Sequence, residues 1–109
     1  MTPEQHAEQI RAKAPKFGES KAQRVYLEDF RKVKLALLMK DALASGITAA
    51  NAQEREALSN QEYVALLKGI GAAIEIEKTL KWELESHRLD IEIWRTRQAS
   101  ERLQIKSHE

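Results

Sequence analysis

The sequence contains no cysteine, two prolines, four glycines and six aromatic residues among its 109 positions. The absence of cysteine excludes disulfides, thiolate metal sites and cysteine nucleophiles. The scarcity of glycine, proline and aromatic residues is untypical of a β-sandwich and typical of a helical bundle or coiled coil. Because no run of 18 apolar residues occurs and the N-terminus lacks the apolar centre of a signal peptide, we expect a cytoplasmic protein that has no membrane span.

The charge of the chain is nearly balanced, with a formal net charge of +1. Residues 1–45 carry nine basic and six acidic side chains, whereas residues 46–109 carry nine and eleven. This bias is weaker than that of a typical nucleic-acid-binding protein. Composition therefore permits binding to nucleic acid without indicating it.

The longest uninterrupted stretch, residues 59–105, contains no proline and, after Gly71, no glycine. Its apolar residues recur every three or four positions, which predicts one very long helix that has a coiled-coil seam. The seam comprises Leu66, Ile70, Ala73, Leu80, Leu84, Ile91 and Trp94. Glu77 and His87 interrupt it, and they either fix the register of a partner helix or face water beyond its end. Gly69 and Gly71 indicate either a bend or the close approach of another helix.

The first 18 residues are expected to form a short helix and a linker. Thr2 and Gln5 have the spacing of a capping box, while Pro15 and Gly18 are expected to end the helix. A second helix is predicted from Ser20 to about residue 45, where Gly46 ends it. Its predicted seam comprises Tyr26, Phe30, Val33 and Leu37, joined by Leu27, Leu38, Met39 and Leu43 as the apolar face broadens.

Thr48 is expected to cap a short third helix, and Ser59 to cap the long one. Folded back as a hairpin, a second helix of about 25 residues, or roughly 38 Å, covers little more than half of the long helix. The uncovered part would expose large apolar side chains, so we expect a homo-oligomer. Those side chains are Leu84, Leu89, Ile91, Ile93, Trp94 and Leu103. The predicted fold is all-α: an oligomeric, coiled-coil-like helical hairpin over residues 19–109, with one very long C-terminal helix.

A search for catalytic motifs gives little. The sequence lacks a phosphate-binding glycine motif after a strand, and its three histidines are scattered along the chain. Pairs of carboxylates such as Glu83 and Glu85 are spaced i,i+2, which puts them on different faces of a helix. We therefore expect no enzymatic activity, no cofactor and no metal.

Basic residues are interleaved with aromatic ones on both long helices, a pattern found in proteins that bind single-stranded nucleic acid. Tyr26, Phe30 and Trp94 fall on the seams and are interpreted as core. Trp82 lies off the main seam and is the better candidate for an exposed platform on which a base stacks. The basic residues are either a track for phosphates or a solvated helix face.

Two segments, residues 21–40 and 63–102, resemble small helical proteins encoded by bacteriophages, especially in the ending IEIWRTRQASER (91–102). Those proteins are similar to the recombination mediator family of UvsY. The resemblance implies a non-enzymatic, ring-like homo-oligomer in the phage-infected host that binds single-stranded DNA. It would relieve the block imposed by single-strand-binding protein and load a RecA-class recombinase. On this resemblance the residues that neutralise phosphates would be Lys21, Arg24, Arg31, Lys32, Lys34, Arg88, Arg95 and Arg97.

A second hypothesis stays open beside the mediator. A purely helical protein-binding adaptor or inhibitor, such as a phage product that occupies a host or CRISPR nuclease, is favoured by the nearly neutral net charge. Clustering of the basic residues favours the mediator instead.

Overall fold

The structure is a computed structural model that describes residues 1–108. These residues form three helices: α1 (Pro3–Ala44), α2 (Ala50–Ser59) and α3 (Gln61–His108). No strand occurs among the described residues. The all-helical prediction is confirmed, and so is the very long C-terminal helix.

Helix α1 begins with the predicted capping box. The Thr2 backbone N–H donates to Gln5 Oε1 at 2.8 Å, and the Gln5 N–H donates to Thr2 Oγ1 at 3.1 Å. The predicted break at Pro15 and the second start at Ser20 are wrong, because the helix continues through both residues. Pro15 removes the hydrogen bond that its N–H would have donated to the carbonyl four residues earlier, and its ring crowds that carbonyl. Since Pro15 is exposed, water can reach that carbonyl.

The end of α1 agrees with the sequence. Gly46 has a φ of +100°, a left-handed conformation that glycine adopts without strain. The Ile47 N–H donates to the Ala42 carbonyl at 3.0 Å, and the Gly46 N–H donates to the Leu43 carbonyl at 3.0 Å. These two bonds form a Schellman motif, which satisfies carbonyls at the helix end.

Helices α2 and α3 are each capped by the residue that follows the predicted cap. Ala49, and not Thr48, occupies the N-cap of α2. At the start of α3, Asn60 Oδ1 accepts the Glu62 backbone N–H at 2.8 Å. The hydroxyl of Ser59 instead donates to carbonyls within α2.

The described chain divides into two compact units. The central unit comprises residues 19–77, and the terminal unit comprises residues 1–18 together with α3 from Lys78 onward. In each unit, segments of α1 and α3 pack against each other with opposite chain directions. Cross-helix ion pairs join Lys34 to Glu62 in the central unit and Lys13 to Glu83 in the terminal unit.

The core of the central unit contains Leu38 from α1, Ala57 from α2 and Tyr63 from α3. Leu35 and Met39 pack against these three residues. Of the apolar face predicted on α1, Leu38 and Met39 thus lie in or against the core, whereas the predicted seam itself is wrong. Its residues Tyr26, Val33 and Leu37 are 61%, 50% and 48% exposed, and Phe30 is partly exposed. Helix α1 carries two apolar stripes, and the stripe that holds Leu35, Leu38 and Ala42 faces the core.

The predicted seam of α3 is confirmed except at its end. Ile70 and Ala73 are buried, and Leu66, Leu80, Leu84 and Ile91 are half-buried, whereas Trp94 is 44% exposed. Because α1 has 42 residues, it covers Leu84 and Ile91, contrary to the length argument made from the sequence. Leu89, Ile93, Trp94 and Leu103 stay exposed as predicted.

Candidate nucleic-acid interface

One flank of α3 in the terminal unit carries a row of cations spaced seven residues apart. Residues at this spacing lie almost directly above one another, because seven residues are close to two helical turns. The row spans about 31 Å of helix. We call it the cationic row, and it comprises Lys81, Arg88, Arg95 and Arg102, all exposed.

Trp82 lies beside the first member of the row. Its side chain is 66% exposed, as the sequence predicted, and the Lys81 Nζ lies 5.8 Å from the centre of its ring. This distance places the ammonium in range of a cation–π interaction. An exposed indole next to exposed cations is the combination that binds stacked bases and phosphates together. That role for Trp82 stays a prediction.

The two flanks of the α1–α3 pair in the terminal unit differ in their ion pairs. On one flank, Lys13 Nζ lies 2.9 Å from a Glu83 carboxylate oxygen, and His6 Nε2 lies 3.5 Å from Asp90 Oδ2. The other flank holds the cationic row together with Glu85 and Glu92, which bond Arg88 and Arg95. The Lys13–Glu83 ion pair on the first flank therefore joins the two helices, whereas the ion pairs of the row lie within α3.

Two members of the row contact carboxylates on their own helix. Arg88 bonds Glu85 at 3.2 Å and Arg95 bonds Glu92 at 3.0 Å, and all four side chains are more than 40% exposed. Ion pairs in such positions contribute only about 0–1 kcal/mol. A phosphate can therefore replace either carboxylate at little cost.

The cations predicted on α1 lie in the central unit, and two of them serve the fold. Arg24 donates from Nε and Nη2 to both carboxylate oxygens of Glu77, and from Nη1 to Glu28 at 3.0 Å. The hydrogen bond with Glu77 is the main cause that raises the pKa of Arg24 above its usual value. Lys34 lies 3.2 Å from Glu62. Arg24 therefore cannot neutralise a phosphate without losing its contact with α3, whereas the Lys34 ammonium uses one of its three N–H donors for Glu62.

The other predicted cations are accessible. Lys21, Arg31 and Lys32 are exposed and have no ion pair among the described residues. Arg97 lies in the terminal unit, where it lines a groove of about 310 Å³ with Met1, Pro3, His6, Asp90, Ile93 and Trp94. The structure thus places Trp82, Arg88 and Arg95 on the same helix, with Trp82 about 120–140° around its axis from the two arginines, and it places Lys21, Arg31 and Lys32 in the other unit.

Lys81 and Arg102 belong to the basic residues interleaved with aromatic ones on α3, but sequence reasoning left them out of the candidate site. The signal that could have found them is the seven-residue spacing of Lys81, Arg88, Arg95 and Arg102, measured against the α3 seam. The position of each cation relative to the seam distinguishes the members of this row from the charged residues that pair with α1.

Both polar residues in the α3 seam face α1 and have partners there. Glu77 binds Arg24, while His87 Nδ1 lies 2.8 Å from His6 Nδ1 and His87 Nε2 lies 3.3 Å from Lys13 Nζ. Burial, and then the positive charge of Lys13, lowers the pKa of His87 below its usual value. Of the two readings left open by the sequence, contact with a partner helix is therefore correct, and that helix belongs to the same chain.

Within residues 1–108, no three His, Asp or Glu side chains cluster closely enough to hold a metal ion. None of the helices in this range is both long and apolar enough to cross a membrane. Comparisons of the chain with protein-family profiles, curated proteins and solved structures found no match. The resemblance to the UvsY family therefore stays a prediction.

Proposed function

We propose that this protein is a non-enzymatic, self-associating helical protein that binds single-stranded DNA along the cationic row. In this role it acts as a recombination mediator, which helps a RecA-class recombinase to displace single-strand-binding protein. The observation that carries the proposal is the cationic row, with the exposed Trp82 beside its first member. The recombinase and the single-strand-binding protein enter through the sequence resemblance alone.

The chemistry of the row favours a single strand over a duplex. Phosphates of a single strand can follow a straight line of cations, and an unpaired base can stack on the Trp82 ring. Four neutralised phosphates would give a salt slope of roughly 2.8 on single strands. Affinity should then fall roughly fifty-fold between 50 and 200 mM salt.

Charge reversal in the row tests the proposal. We expect Lys81→Glu/Arg88→Glu/Arg95→Glu to weaken the binding of a labelled oligothymidylate at least ten-fold, as measured by fluorescence anisotropy at 50 mM salt. The matched control is Lys16→Glu/Lys40→Glu/Lys68→Glu, which reverses three exposed cations away from the row. Equal losses in the two variants would indicate general charge attraction and contradict a site on the row.

An adaptor or inhibitor of another protein is the second candidate. It is favoured by a stripe of exposed apolar side chains on the outward side of α3, formed by Trp82, Leu89 and Ile93 at 66%, 60% and 48% exposure. On this hypothesis the wild-type protein leaves the anisotropy of the oligothymidylate unchanged at either salt concentration. Binding that depends on salt and on the row would exclude a role confined to protein partners.

A further inference from the structure

Helix α1 carries an apolar stripe that the rest of the central unit leaves uncovered. We call it the outer stripe, and it comprises Tyr26, Phe30, Val33 and Leu37. The spacings of four, three and four residues are those of a two-heptad coiled-coil seam. Tyr26, Val33 and Leu37 are about half exposed or more, and the Tyr26 and Phe30 rings stack with centres 6.0 Å apart.

The outer stripe is distinct from the surface that forms the core. It lies about 140° around the helix from Leu35, Leu38 and Ala42, at 100° per residue. Leu38 belongs to the buried cluster with Ala57 of α2 and Tyr63 of α3, and Leu35 packs against that cluster. Ala42 is also buried. Helix α1 therefore has two seams, one used within the chain and one available to a further helix.

Charges beside the outer stripe indicate which helix fits. If Tyr26 and Val33 are heptad d positions and Phe30 is an a position, then Asp29 is a g position and Lys34 is the following e position. In a parallel pair of identical helices, the g residue of one helix faces the e residue of the following heptad in the other helix. Such a pair therefore contains two contacts between Asp29 and Lys34, one on each side of the seam. In an antiparallel pair, Asp29 faces Ala36, and Lys34 faces Leu27.

Both charged groups are available for this contact. Asp29 is exposed and has no ion pair among the described residues. Lys34 bonds Glu62 at 3.2 Å, but its ammonium has three N–H donors and can bind a second carboxylate.

We propose that a second copy of this chain packs in parallel on the outer stripe, with Tyr26, Phe30, Val33 and Leu37 of both copies at the interface. This proposal deepens the self-association in the proposed function, and it does not depend on DNA. The interface brings like residues together across a two-fold axis. Asp29 of each copy then lies beside Lys34 of the other.

The mass of the protein in solution tests the surface. Val33→Glu places a carboxylate in the middle of the stripe without entering the core, and we expect self-association to weaken at least ten-fold by light scattering across a concentration series. Leu58→Glu, at an exposed position of α2, is the control and should keep the wild-type mass. Circular dichroism confirms that both variants stay helical. An unchanged mass for Val33→Glu would overturn the proposal.

Cysteine cross-linking tests the orientation, and the chain is suited to it because it has no native cysteine. In a parallel pair, Tyr26 faces its own copy, so Tyr26→Cys alone should form a disulfide dimer under mild oxidation. In an antiparallel pair, Tyr26 faces Leu37 instead. Cross-linking only in a mixture of Tyr26→Cys and Leu37→Cys would contradict the parallel arrangement.

The two proposals fail in different ways. If the wild-type protein self-associates through the outer stripe but does not bind DNA, the proposed interface is supported and the proposed function is contradicted. If it binds DNA through the cationic row while Val33→Glu keeps the wild-type mass, the function stands and the interface is wrong.

Discussion

Two imidazole rings and an ammonium group meet in the terminal unit, at His6, His87 and Lys13. A hydrogen bond between the two Nδ1 atoms requires one ring to donate and the other to accept, so protonation of both rings breaks it. The nearby carboxylates of Asp90 and Glu83 raise the pKa of His87. This effect is smaller than the lowering of the pKa by burial and by the positive charge of Lys13. Protonation of His87 is thus disfavoured in the folded state.

The lowered pKa of His87 predicts the direction of a pH effect on stability. The unfolded chain binds this proton at the usual pKa of about 6.5, and the folded chain binds it only at a lower pH. Protons therefore favour the unfolded state. The contribution of His87 to the free energy of unfolding is fully present above about pH 6.5 and decreases as the pH falls below that value.

We expect the wild-type Tm, followed by circular dichroism, to fall between about pH 7.5 and pH 5.5, and to fall less in His87→Gln. His108→Gln changes an exposed histidine near the end of α3 and should behave like the wild type. A pH dependence that is the same for His87→Gln and the wild type would show that another group is responsible.

Arg24 and Lys21 lie one turn apart on α1 but should respond differently to mutation. Arg24→Ala leaves the partly buried Glu77 carboxylate without its bidentate partner, so we expect Tm to fall by roughly 5 °C or more. Lys21→Ala removes an exposed cation and should leave Tm nearly unchanged. Equal Tm values for the two variants would mean that Arg24 does not help to hold α1 against α3.

Among the elements, those that depend on local residues were predicted best. The Thr2–Gln5 capping box and the Gly46 helix end each follow from a few adjacent residues, and the length of α3 follows from the lack of proline between residues 59 and 105. The continuity of α1 through Pro15 does not, because packing of both halves of the helix against α3 outweighs the loss of one hydrogen bond. The choice between the two apolar stripes of α1 also depends on distant residues, namely Ala57 and Tyr63.

Replacing glycines inside the helices with alanine is expected to stabilise the protein. A Cβ built at Gly18 or Gly71 meets no atom within 4 Å, and both residues lie inside helices. Gly18→Ala and Gly71→Ala should each raise the free energy of unfolding by about 0.5–1 kcal/mol, as measured by urea unfolding.

Gly46→Ala is the matched control, because its left-handed φ of +100° strains any residue with a Cβ. It should lower the free energy of unfolding by about 1 kcal/mol. Loss of stability in Gly71→Ala would instead indicate that another chain approaches α3 closely at that position.

At the scale of the whole molecule, the described chain buries little apolar surface. Six hydrophobic residues are buried, whereas sixteen large ones are exposed on all three helices or beside them. A chain of 109 residues has little stability to spare, and continuous exposed apolar stripes mark sites of association. This imbalance supports self-association, and the exposed residues include four that the length argument used, namely Leu89, Ile93, Trp94 and Leu103.

The candidate site could be predicted only in part from the sequence. Trp82, Arg88 and Arg95 were named, since an off-seam tryptophan and basic residues near the end of α3 are visible in the pattern. Arg24 and Lys34 were grouped with them because the sequence does not show which cations meet Glu77 and Glu62 on the facing helix. Only the packing of α1 on α3 separates structural cations from accessible ones.

The most direct test of the account is sedimentation velocity of the wild-type protein with a labelled oligothymidylate at 50 mM salt. One run reports both the mass of the protein and the fraction of DNA that it carries. We predict an oligomer that sediments together with the label and releases it at 200 mM salt. A monomer that leaves the label behind at both salt concentrations would contradict both self-association and DNA binding.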